Sequence, residues 1–176
     1  MIDRMAVGEV RPGYELWHPN REKAEVVTTK FVIAFLMLAT GLIAGLVTVA
    51  GFSLLSGGGG MGVVCLIFAV LYVFFAFLVT RWSRGILPVA ASLSMILAIF
   101  CAVGADSWFA RDKAGFDGAL IPVPLIGLLV IILVLLQIVL IAACFYGFSQ
   151  DWHVEEERPI GSGASAPPGA NAPQPA

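Results

Sequence analysis

The sequence predicts an all-α integral membrane protein, a bundle of four transmembrane helices, and three observations predict it. Of its 176 residues 59% are hydrophobic and only 12% charged, against about 25% charged in ordinary soluble domains. Water-exposed apolar surface on that scale would drive association. The apolar residues also stand in long blocks: no Asp, Glu, Lys, Arg or His lies between Lys30 and Arg81, or between Asp117 and Asp151. Finally, the run 130–136 is apolar at every position, whereas a barrel strand alternates apolar and polar residues. The mean hydropathy of +0.93 agrees with this reading.

A hydrocarbon core of about 30 Å takes roughly 20 helical residues. The first block is long enough for two spans, and it breaks at Ser56-Gly57-Gly58-Gly59-Gly60, because a glycine run disfavours helix. Span one is read as 31–55 and span two as 61–80. Span three covers 86–104, with Pro88 in its first turn, where proline is tolerated. A polar segment with five charges follows, from Ala105 to Ala119. Span four covers 122–148 and starts at Pro122 and Pro124.

These spans divide the chain into an N-terminal segment (1–29), a transmembrane domain (30–150) and a C-terminal tail (151–176). Asn20 is a candidate N-cap, with Glu22 favourably placed in the first turn, so span one is expected to start as a helix near Arg21, outside the membrane. Residues 159–176 contain five prolines, three glycines and no charge, so they cannot bury a core and are expected to be disordered.

Basic residues in short loops set orientation. Arg4, Arg11, Arg21, Lys23, Lys30, Arg81, Arg84 and Arg158 fall on one side of the four spans, and Arg111 and Lys113 on the other. The expected placement is the plasma membrane, multi-pass, with both termini cytoplasmic. The apolar run of span one is too long for a cleavable signal peptide. Trp82, Trp108, Tyr146 and Trp152 lie at predicted boundaries and are expected to anchor the headgroup region.

Small residues let membrane helices approach closely. Gly41 and Gly45 stand four apart on span one, with Thr48 near the same face. Ala90, Ser94, Ala98 and Ala102 step by four along span three. Spans one and three are therefore expected at the centre of the bundle, with bulky span four facing lipid or a partner. Gln137 is the one strongly polar side chain deep in span four, and an amide unpaired in hydrocarbon is costly. It is expected to pair with a neighbouring helix, with Ser92, Ser94 and Thr48 as candidates. Cys65 and Cys101 lie at similar depth and read as two small apolar residues rather than a disulfide.

Chemistry inside a membrane usually needs ionisable groups there, and none falls within the four predicted spans. Both histidines, His18 and His153, lie outside them, which argues against a haem held between helices. His18, His153 and Glu155 to Glu157 show no close ligand spacing for a metal. The glutamate run reads as solvated, or as pairing with Arg81 and Arg84. No catalytic motif, phosphate loop or basic excess for nucleic acid is present. No cofactor is expected, and the expected partners are the lipid bilayer and other membrane proteins or a second copy. The sequence thus favours a non-enzymatic accessory or structural subunit of a larger membrane complex. A small oligomeric transporter with Gln137, Ser92, Ser94 and Thr48 along its path is the alternative, and an enzyme acting on lipid headgroups the second.

Overall fold

The computed structural model describes residues 13–55, 60–111 and 118–160. Its elements run β1 (Tyr14–Trp17), α1 (Pro19–Glu22), α2 (Ala24–Ala50), α3 (Gly60–Thr80), α4 (Ile86–Ala110), α5 (Val123–Ser149) and β2 (Glu156–Pro159). The four long helices, α2 to α5, are each long and apolar enough to cross a membrane, and they pack together as an all-α bundle. Residues 161–176, expected to be disordered, lie outside the described residues.

The boundaries differ from expectation where local chemistry overrides hydropathy. Helix α2 starts at Ala24, close to the outward start expected near Arg21, and runs through Glu25 and Lys30 into span one. It ends at Ala50, and residues 51–55 turn. Helix α4 runs on to Ala110 through the segment expected to be a loop. Asp106 points outward there while Trp108 stays buried, so one polar residue does not end the helix. Asn20 is not an N-cap. It lies inside α1, whose N-cap is His18 with Pro19 in the first turn, and α2 is capped at Lys23.

The buried faces follow a seven-residue rhythm. On α2 the core side is Val26, Lys30, Ile33, Met37, Thr40, Ala44 and Val47. On α5 it is Val123, Ile126, Val130, Leu133, Gln137, Leu140 and Cys144. Alternating steps of three and four keep a seam facing its neighbour. This rhythm corrects the expected stripe on span three. Each step of four overshoots a helical turn by about 40°, so Ala90 and Ser94 are buried, Ala98 is half-buried and Ala102 is exposed.

The order of helices also differs from expectation. Helix α2 packs against α3 and α5, α5 packs against α2 and α4, and α3 meets α4 only loosely. Spans one and three are therefore not the joint centre, and α5 is not a lipid-facing outsider. Its bulky residues conceal a buried seam that includes Gly127, Gln137 and Gly147. Gly41 serves the α2–α3 contact instead: a Cβ there would lie 2.9 Å from the Ala69 carbonyl oxygen and 3.0 Å from Val73. At Gly45 a Cβ would meet only Ala69, at 3.8 Å.

Strands β1 and β2 pair antiparallel, Tyr14 opposite Pro159 and Trp17 opposite Glu156. The N- and C-terminal segments thus meet at one end of the bundle, and part of the predicted tail is ordered.

Gly41→Ala is expected to destabilise by about 1–3 kcal/mol through overpacking against backbone, seen as a lowered thermal midpoint in mild detergent. Gly45→Ala in the same assay is expected to melt like the wild type.

Candidate functional site

Three features concentrate the polar chemistry: a knot at mid-membrane, a crevice beside it, and a clamp at the terminal end.

The knot takes one residue from each long helix: Thr40 of α2, Tyr72 of α3, Ser94 of α4 and Gln137 of α5. All four are fully buried. The Tyr72 hydroxyl lies 2.8 Å from Gln137 Oε1 and 3.1 Å from Ser94 Oγ. A phenol has one proton, and the amide oxygen has none to offer. Tyr72 therefore donates to Gln137, and Ser94 donates to Tyr72. Gln137 Nε2 donates to Thr40 Oγ1 at 3.2 Å. Among the described residues no buried side-chain nitrogen or oxygen lacks a partner. Of the candidate partners for Gln137, Ser94 joins through Tyr72. Thr48 is turned back on its own helix, bonding the Ala44 carbonyl. Ser92 is exposed and bonds the Pro88 carbonyl.

Just beyond the knot, a crevice of about 280 Å³ opens along the loose α3–α4 seam. Its inner end is set by Ala44, Phe68, Leu97 and Leu133, each one helical turn from a member of the knot. Cys65 and Cys101 line it as free thiols. Trp108 and Arg111 stand at its other end, the Arg111 guanidinium 4.9 Å from the Trp108 ring centre. Trp108 was expected to face the headgroups. Its indole is instead turned inward over Gly51, where a Cβ would clash with it.

The clamp joins the two terminal segments. Trp152, also expected as an interfacial anchor, is fully buried and stacks edge-on with Trp82 at 5.6 Å. Lys30 Nζ lies 4.0 Å from the Trp82 ring centre, and Arg21 lies 5.6 Å away on the same ring. Cation–π attraction of this kind holds charge at a membrane boundary. Lys30 is buried at 7% exposure, so an ionisable side chain does enter helix α2. Trp82 takes a left-handed φ of 63° in the turn ending α3, where Ser83 N–H bonds Leu78 O and Trp82 N–H bonds Val79 O. Glycine usually fills that position, and the Trp82 contacts offset the strain. Tyr146 is exposed, and its hydroxyl donates to Glu25.

Around this centre, Arg84 donates to the Phe148 carbonyl at 2.7 and 3.0 Å and pairs with Asp151 at 2.6 Å, caring for the bare carbonyls at the end of α5. Asn20 donates to the Asp151 carbonyl at 2.9 Å and Arg21 to that of Trp152 at 3.1 Å. Glu155, Glu156 and Glu157 are all exposed, as the solvated reading has it, and Arg84 is taken by Asp151. Glu155 reaches His18 at 3.4 Å, Arg158 takes Glu15 at 2.6 Å, and Arg81 lies over Phe77. His153 is exposed.

Thr40, Tyr72 and Lys30 are the residues that sequence reasoning missed. Tyr72 carried a signal, a hydroxyl twelve residues into a span, far from either boundary. No protein-family model matches the chain, and the searches of curated proteins and of solved structures found no match either.

Trp152→Ala is expected to cost about 3–5 kcal/mol, the range for emptying a buried aromatic site, with the loss read in a thermal or steric-trap unfolding assay. Trp152→Phe is expected to recover most of that loss, and equal behaviour of the two variants would contradict the clamp.

Proposed function

We propose that this chain is a non-enzymatic accessory subunit of a larger complex, in the plasma membrane with both termini cytoplasmic. The eight basic residues on the terminal side against two on the other support that orientation. The β1–β2 ribbon carries the reading. Alternate residues of a strand share a face, and Tyr14 and Leu16 on one face are exposed, Leu16 at 47%. Ile160, just past β2, is 66% exposed. The opposite face is tied by Arg158, which pairs with Glu15 and lies over Trp17. A two-stranded ribbon is marginal on its own in water, and the exposed apolar side chains Tyr14, Leu16 and Ile160 suit a protein partner at the cytoplasmic surface.

The mid-membrane groups support a structural role. A transport path through Gln137 and Ser94 would need their polar atoms turned to a substrate, but they are spent on Tyr72 and Thr40. The exposed His153 gives the headgroup reading no enclosed site.

Mild extraction of the tagged native protein, a native gel and mass spectrometry test the reading. A stoichiometric larger assembly is expected, and Leu16→Asp is expected to release the partner while the bundle still melts like the wild type. Isolation of the wild type always alone would contradict it.

A further inference from the structure

The crevice between α3 and α4 is apolar, narrow and placed at membrane depth. We propose that it holds one acyl chain of an anionic phospholipid, drawn from the leaflet opposite the termini, with the phosphate beside Arg111. This inference is independent of the subunit reading.

The shape argues for a chain. Along α4 the crevice extends from Leu97 to Arg111, about 20 Å of helical rise. Half of a hydrocarbon core is about 15 Å, so the crevice runs from near the midplane to the headgroups. Its volume of about 280 Å³ falls just below the range of ligand pockets, roughly 300–1,000 Å³.

The walls argue for hydrocarbon. The hydroxyls of Thr48 and Ser107 each bond a carbonyl of their own helix at 2.7 Å, those of Ala44 and Gly104. They offer little to water. An empty slot would forfeit dispersion contacts along its whole lining, and acyl chains are the surrounding solvent. A Cβ built at Gly104 meets nothing within 4 Å, so there is open room on that wall.

The mouth argues for negative charge. Arg111 follows the last residue of α4, its guanidinium over the Trp108 ring. A guanidinium offers paired donors that match a phosphate. The inner end of the slot is closed by the Thr40–Gln137–Tyr72–Ser94 knot, so a chain lying in the slot has its methyl end at the knot and its headgroup end at Arg111.

The test is native mass spectrometry of the full chain in mild detergent, supplied with phosphatidylglycerol or phosphatidylcholine. The wild type is expected to keep one phosphatidylglycerol per chain, favoured about fivefold over phosphatidylcholine, the ratio for one basic residue near a membrane charge. Gly104→Phe fills the slot from α4 and is expected to keep neither lipid while melting like the wild type. Cys65→Phe fills it from α3, so a folding defect in one variant leaves the other to decide. Arg111→Gln is expected to keep both lipids alike. Equal lipid retention by the wild type and a folded slot-filling variant would overturn the proposal. So would a chain dimer lost on filling, which would assign the crevice to a second copy. An unchanged preference in Arg111→Gln would overturn the headgroup assignment.

Discussion

A primary amide left bare in hydrocarbon costs several kcal/mol, and Gln137 stands near the middle of α5. Both ends of that amide must be satisfied by protein, because the bilayer offers no partner. Tyr72 and Thr40 supply them, and Ser94 completes the phenol. One residue from each long helix is thereby fixed at one depth. Dispersion alone would let four apolar helices slide and rotate with little penalty, since lipid tails pack on leucine as well as protein does. Polar contacts at a single level set rotation and register together.

The rest of the bundle follows from that level. With α5 turned so that Gln137 faces Tyr72 and Thr40, its seam packs on α2 and α4 along seven-residue steps. Toward the termini, the helices converge on Trp152 and Trp82, with Arg84 capping the end of α5 at the Phe148 carbonyl and Asn20 and Arg21 holding the carbonyls of Asp151 and Trp152 just beyond it. In the other direction, α3 and α4 separate and leave the crevice. A tight half and an open half share one bundle because the knot divides them.

The four spans were legible in the sequence because charge and glycine punctuate the apolar blocks. Helix rotation was not. Spans that are apolar on every face carry almost no directional signal, so the stepwise stripe Ala90–Ala102 suggested a face that helical drift turns away from the core. Bulk misled in the same manner on α5, where Gly127, Gln137, Cys144 and Gly147 mark the buried side among larger residues. Gln137 was legible as a residue needing a partner, and Ser94 was among those expected. Thr40 was not, because a threonine reads as a tolerated residue in a span, and Tyr72 was legible only through its depth, since a tyrosine more often reads as an interfacial residue. The terminal clamp could not be read either: Asn20 and Arg21 lie more than a hundred residues from Trp152, and local patterns do not show such pairing.

The measurement closest to this claim is a double-mutant cycle of Tyr72→Phe and Gln137→Leu, with unfolding free energies measured in bilayer discs. The knot requires coupling: the double variant should lose less than the sum of the single losses, by about 0.6–1.7 kcal/mol, the span for hydrogen bonds between membrane helices. Losses that add to within about 0.3 kcal/mol would contradict it and remove Gln137 from the centre of the fold.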